Sequence, residues 1–299
     1  MQRTKSRAAL FARTVLALIA FVVVAGFAFS GDAAYEKEIE GWRQRYEAKL
    51  RADDGWLTVT GLFWMHEGKN TFGSATNNDV VLPAPAPANA GYFDLHDGKT
   101  TVHVNPGVPI TMAGKPVEIA ELKPDSKVDR LVLGDLTFFV HAVGPRRGIR
   151  LKDKKSKLRK EFTGLHWFPI NQAYHVIANY VAYPTPREVS IETVQGDHAT
   201  TSIVGYVTFQ LGGKEFRLDA EQNDPDGLFI VFRDLTSKKD TYPAARFLDT
   251  DPPKDGKVDL DFNEAYNPPC AYNPYSTCPL PSPGNRMQIE IPAGERRYH

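Results

Sequence analysis

Asp259, Asp261, Asn263 and Glu264 are the side chains of this sequence whose types and spacing best support acid–base or ligand chemistry. On a strand, alternate residues share a face, so Asp259, Asp261 and Asn263 would point the same way. Paired carboxylates can serve as general acid and base, or hold an oxygen-ligated cation. The D-x-D-x-N run begins like a calcium loop, but its sixth position is Glu264 rather than the glycine that lets such a loop turn. No metal or other cofactor is assigned on this pattern. A second polar run, RDLTSKKDTYPAARFL (233–248), brings Asp234, Thr236, Thr241, Tyr242 and Arg246, and the tail adds Asn267, Asn285, Arg286 and Glu295. If the two runs meet, Tyr242, Arg246, Asp261, Asn263, Asn267, Asn285 and Arg286 line a small polar pocket. Its arginines would grip a carboxylate or phosphate bidentately while the amides orient it. The same residues also describe a buried polar network, with Arg246 paired to Asp261 and the amides tying down loop backbone. Residue type alone leaves both readings open.

Familiar catalytic patterns are absent: there is no G-x-S-x-G elbow, no H-E-x-x-H helix, no Walker loop and no G-x-G-x-x-G. The eight histidines are scattered. His103, His141 and His175 fall inside strand-like runs, and His166 beside Trp167 has no spaced partner for a metal. Both cysteines, Cys270 and Cys278, lie in the forty-residue segment Asp259 to Tyr298, which also holds seven prolines, four asparagines and four tyrosines.

Ahead of all this stand Arg3, Lys5, Arg7 and Arg13 without an acid, then the apolar run Thr14 to Phe29, then Ala28-Phe29-Ser30-Gly31. A basic stretch, a short apolar core and a small-x-small site predict a signal peptide over residues 1–30, with an uncleaved anchor as the competing reading. Export implies a periplasmic or secreted protein, and membrane contact only through an uncleaved leader. Removing four basic groups and no acid takes the formal charge from 0 to −4, which argues against a nucleic-acid partner. An oxidising compartment predicts a Cys270–Cys278 disulfide pinning the proline-rich tail.

These groups need elements to position them. Residues 31–54 carry Ile39, Trp42, Tyr46 and Leu50 at three- and four-residue spacing, which predicts an amphipathic helix with one aromatic packing stripe. From Trp56 onward short alternating runs replace it, and Asp97-Gly98, Gly212-Gly213 and Asp226-Gly227 mark hairpin turns. The expected fold is mainly β: a sandwich over 55–145, a basic connector over 146–161, and a second antiparallel unit over 162–299. The connector, RRGIRLKDKKSKLRKE, is assigned because nine basic residues crowd it and apolar ones thin out.

Two resemblances bear on these units. GKNTFGS (68–74), NNDVVLP (77–83), FDLHDG (93–98), MAGKPV (112–117) and LGDLTF (133–138) resemble, in order, the turns and strands of a forkhead-associated (FHA) domain. That resemblance implies an eleven-strand sandwich. Its phosphothreonine readers do not carry over: Ser74 stands where the family's arginine follows the glycine, and PAPAPANAG lacks the Ser-x-x-His loop, so no phosphothreonine peptide is expected. Across residues 35–298, GWLTVTGLFWMHEGKNTFGS, GIRLKD, FTGLHWFPIN, DTYPAARFL and DLDFNEAYNPPCAYNPYSTCPL are similar to the bacterial domain of unknown function 1684 family. This resemblance implies one integrated unit with the tail as a defining part. The expected function is an exported small-ligand binding or scaffold module of the cell envelope. The alternative is an envelope hydrolase of a glycan or ester, with Asp261 or Glu264 as base or metal ligand and Arg246 stabilising negative charge.

Overall fold

The computed structural model describes residues 33–223 and 227–298. The expected signal peptide, and Asp226 of the third expected turn, lie outside the described residues.

Helix α1 covers residues 33–51. It buries Ile39 and Leu50 and half-buries Trp42 and Tyr46, as the aromatic stripe predicts. Eleven strands follow: β1 (Val59–Trp64), β2 (Gly68–Gly73), β3 (Val80–Val81), β4 (Gly91–His96), β5 (Lys99–Val104), β6 (Thr111–Met112), β7 (Lys115–Pro116), β8 (Ile119–Leu122), β9 (Leu131–Leu133), β10 (Leu136–Val143) and β11 (Arg146–Asp153). They form two sheets, in the order β1-β11-β10-β9-β6-β7 and β3-β2-β4-β5-β8. Apart from the parallel β2–β3 pair the neighbours are antiparallel. The two sheets enclose a core centred on Phe72, Phe93 and Phe138, whose ring centroids lie 4.8 to 6.4 Å apart. At the β4–β5 turn Asp97 and Gly98 both take positive φ, 47° and 74°, the backbone a two-residue hairpin needs.

The basic connector expected over 146–161 is not a connector. Arg146–Asp153 is β11, an inner strand bonded to β1 on one side and β10 on the other. Ile149 and Leu151 enter the core, while Lys152 stands on the opposite face beside a buried Arg150. Ile149 and Leu151 alternate with charged residues as a strand requires, but nine basic residues in sixteen give the run the composition of a solvated connector. Lys157–Glu161 then forms α2, capped by Ser156 Oγ, which accepts from Arg159 N at 3.1 Å.

The C-terminal unit is one antiparallel sheet built from β12 (His175–Glu192), β13 (His198–Leu211), β14 (Lys214–Gln222), β15 (Leu228–Phe232), β16 (Arg246–Asp249) and β17 (Lys257–Asp261), in the order β16-β15-β14-β13-β12-β17. Just past the edge strand β17, Tyr266 exchanges both backbone hydrogen bonds with Phe247 of the other edge strand, each 2.9 Å. The sheet is thereby closed on itself. Its interior packs Phe209, Leu218, Ile230, Phe232, Leu248 and Leu260 against Phe262, Met287, Ile291 and Ala293 of the tail. The tail therefore fills the closed sheet instead of trailing from it.

Candidate functional site

Strand β17 alternates as its sequence requires. Val258 and Leu260 turn into the core, leaving Asp259 and Asp261 on the outer side, where α1 crosses. Between them lies a cleft of about 380 Å³. Six carboxylates border it: Glu38, Asp249, Asp251, Asp259, Asp261 and Glu264. Against them stand Arg45 and His175, with the rings of Tyr35 and Trp42 forming part of the wall.

Asp261 is held in one geometry. Its Oδ2 accepts from Tyr35 Oη–H at 2.6 Å, and its Oδ1 accepts from the backbone N and the Nδ2 of Asn263, each at 2.9 Å. Asn263 also donates to Tyr35 Oη and to the Asn171 carbonyl, both at 2.9 Å. Burial first, and then the negative charge of Asp261, push the Tyr35 hydroxyl far above its ordinary range, so it stays a donor. The His175 ring stacks on Tyr35 at 5.3 Å with the planes within 5°, and its Nε2 meets Asp259 Oδ1 at 2.5 Å. Glu264 behaves differently from its neighbour three residues away. Burial, reinforced by Asp261, Glu38 and Asp251 and opposed by Arg45, pushes its carboxyl up to about 8. The cleft thus sets a carboxyl that holds its proton at neutral pH beside a carboxylate fixed by three hydrogen bonds, a division of roles suited to acid–base chemistry.

The pocket expected from the two polar runs is not formed as drawn. Arg246 is wholly buried, pairs with Asp234 at 2.7 Å, and donates to the carbonyls of Ile291 and Ala293. It anchors the tail inside the sheet and reaches no ligand, which also removes it from the hydrolase scheme. A Cβ on Gly294, at φ 78°, would fall 2.4 Å from the Ala265 carbonyl and 2.9 Å from Arg246 Nη2, so the tail closes over the arginine only because that residue is glycine. Asn267 is buried too, bonded to Glu295 through N at 2.8 Å and Nδ2 at 2.7 Å. Tyr272 Oη donates to the same carboxyl at 2.7 Å, and burial raises Glu295 to about 7. Asn285 ties the tail to Asp219 and Val231. Of the two expected readings, the buried network describes Arg246, Asn267 and Asn285, with Asp234 rather than Asp261 as the arginine's partner. Tyr242 donates to the Cys270 carbonyl at 3.1 Å, away from the cleft. Arg286 is exposed and borders a separate cavity between β12, β13 and the tail. Of the residues singled out in the sequence for acid–base or ligand chemistry, Asp259, Asp261 and Glu264 line the carboxylate cleft, with Asn263 behind them.

Cys270 and Cys278 are both thiols here, contrary to the expected disulfide, yet they are neighbours, with Cys278 Sγ accepting from Cys270 N at 3.3 Å. The sequence reading missed Tyr35, Glu38 and Arg45, and gave Trp42 a packing role only. Their spacing of three, four and three places them on one side of α1, a stripe beside the apolar one. Asp249 and Asp251 carry no comparable signal. Among the described residues, metal-ligating atoms of three side chains converge within 4.8 Å at Glu67, His96 and Asp97, an exposed group of the N-terminal unit.

Comparison with curated proteins finds no match. Among solved structures, an uncharacterized protein of Haloarcula marismortui, determined by solution NMR, is 34% identical, with 46% of this chain and 78% of that chain covered and a TM-score of 0.40. Residues 160–296, which hold Asp259, Asp261, Glu264 and the whole Arg246 network, match the family described as protein of unknown function (DUF1684).

Proposed function

We propose that the cleft between α1 and β17 binds a small organic cation, an amine-bearing metabolite or sugar. The carrying observation is the excess of acidic groups, five carboxylates and the Glu264 carboxyl against Arg45 and His175 in the lining, around the Trp42 face. An ammonium group would pair with Asp261 and Asp259 and rest against the indole, where cation–π attraction contributes about 0.5 to 2 kcal/mol. The test is thermal unfolding with putrescine, spermidine or glucosamine at pH 7 and low salt. A saturating ligand at about 100 times its Kd should stabilise by roughly 2.7 kcal/mol. D261N and W42A should lose that stabilisation. Equal stabilisation of wild type and D261N, or none by any amine, refutes the reading.

A second reading rests on the split between Glu264 and Asp261. In a hydrolase of a glycan or ester, Glu264 would protonate the leaving oxygen and Asp261 would activate water. E264Q would then abolish turnover of an amino-sugar glycoside while retaining the thermal shift.

For the N-terminal unit we infer an FHA-like scaffold without phosphothreonine recognition. Eleven strands in two sheets support the first half. The second is supported by Ser74, whose hydroxyl donates to the Ala86 carbonyl at 2.7 Å. We further infer an exported, cell-envelope location in a bacterium, resting on the leader pattern of residues 1–30. Fractionation of cells expressing the full chain, with N-terminal sequencing of the product, tests it.

A further inference from the structure

On the face of β10 turned away from the phenylalanine core, a chain of hydrogen bonds crosses from the N-terminal unit to the tail. His141 Nδ1 meets Asp125 Oδ1 at 2.7 Å, and His141 Nε2 meets Thr277 Oγ1 at 2.8 Å. If the hydroxyl donates to Nε2, Nδ1 carries the proton and donates it to the carboxylate, so both bonds select one tautomer. Asp125 is fixed as well: its Oδ2 accepts from Ala142 N at 3.2 Å, and its backbone is held at φ 54°, a left-handed conformation costly for a residue with a side chain. Burial would raise the Asp125 carboxyl, but His141 and the Arg150 charge outweigh it and keep it below its ordinary value.

The fourth member is Arg150 of β11. It is buried and makes no ion pair within 4 Å among the described residues. Its Nη2 lies 3.4 Å from Thr277 Oγ1, its guanidinium lies 5.3 Å from the Trp56 ring centroid, and its Nε is buried without a hydrogen-bond partner. A buried guanidinium with spare donors is costly unless an anion reaches it. Here it stands against the one hydroxyl that a histidine and a carboxylate already orient.

We propose that Thr277, His141 and Asp125 form a nucleophilic hydroxyl centre for small acyl esters, with Arg150 stabilising the oxyanion. Thr277 is partly exposed, as an attacking group must be. As its Oγ bonds to the ester carbonyl carbon, the hydroxyl proton passes to His141 Nε2, and the carbonyl oxygen takes the negative charge beside Arg150. When the tetrahedral intermediate collapses, the carbon–oxygen bond of the leaving group breaks and the alcohol departs with the proton from Nε2. Water then attacks the acyl-threonine as Nε2 takes its proton, and when the acyl carbon–Oγ bond breaks that proton returns to Thr277 Oγ and the acid is released. Asp125 acts through the imidazole as a positioning residue. Its residues and elements differ from those of the carboxylate cleft, so the two readings stand or fall separately.

The test uses the full described chain with a fluorophosphonate probe and with p-nitrophenyl acetate. The expected result is one probe adduct mapped to Thr277 by peptide mass spectrometry, and hydrolysis of p-nitrophenyl acetate above the buffer rate. H141Q should slow both by roughly 100-fold or more, the usual span for a general base. T277V should abolish the adduct and T277S should retain it, so a folding loss in one variant cannot imitate the pattern. D125N should lower the rate and alter its pH profile. No adduct on folded wild-type protein, or an adduct that persists in T277V, overturns the proposal.

Discussion

Glu264 offers the sharpest test of the electrostatics of the cleft. Its carboxyl rises from 4.5 to about 8, chiefly through burial and then through Asp261, Glu38 and Asp251. In the unfolded chain the same group titrates near its ordinary value. Between those two values the folded protein holds a proton that the unfolded chain releases, so this group's contribution to stability is intact below about pH 4.5 and is lost as pH rises through about 8. At about 1.36 kcal/mol per pKa unit the full effect would be roughly 5 kcal/mol. Glu264 keeps contact with solvent, and screening reduces the expectation to about 2 kcal/mol. E264Q cannot titrate. Relative to wild type it should therefore gain about 2 kcal/mol between pH 5 and pH 9. Urea unfolding at pH 5, 7 and 9, followed by the fluorescence of Trp42 and Trp167 where α1 packs, measures that difference. Glu221, Asp249 and Glu295, also raised by burial, are common to both proteins and cancel. A mutant-minus-wild-type difference that is flat from pH 5 to pH 9 refutes the reasoning.

Other outcomes follow from the buried network and the thiols. R246A should cost about 3 to 5 kcal/mol, because it strands the buried Asp234 carboxylate, whereas the pair exchange R246M with D234L should recover most of that loss in urea unfolding. E295A removes the acceptor shared by Asn267 and Tyr272, and should cost about 3 kcal/mol or more by the same measurement, with E295Q intermediate. In the native reduced protein Cys270 should react first with a disulfide reagent. It is partly exposed and hydrogen bonding with Cys278 lowers its thiol, whereas Cys278 is buried and raised. Mild oxidation with diamide should then consume both thiols within one chain and stabilise it by roughly 2.5 kcal/mol, read as a rise in the urea midpoint. Y35F should cost about 1 kcal/mol and loosen Asp261 without unfolding α1, visible as unchanged circular dichroism.

What the sequence disclosed was local. Period-two alternation located most strands, Asp97-Gly98 and Gly212-Gly213 marked their turns, and the D-x-D run put Asp259 and Asp261 on one face as strand geometry dictates. What it hid was pairing across distance. Tyr35 meets Asp261 across 226 positions, and Arg246 chooses Asp234 over Asp261 because the tail threads back through the sheet. Composition reports that such groups are numerous, but only the path of the chain decides which become partners. The β11 error has a different origin: the charge of the run outweighs the short Ile149–Leu151 alternation, and the burial of Arg150 has no signature in residue type.

The closure of the C-terminal sheet by Tyr266 also has a bearing on biosynthesis. Until that residue leaves the ribosome, β16 presents unpaired backbone groups along an open edge, and the interior lacks Met287, Ile291 and Ala293. Asn273 and Thr277, which lie between Tyr266 and Met287, supply contacts to Trp56 and His141 of the first unit. A nascent chain stopped before this segment would therefore be sticky and incomplete in both halves. Synthesis of the segment from Tyr266 to Ala293 is then the point at which the molecule commits to its native state, and products terminated before it should be efficient substrates for proteolysis.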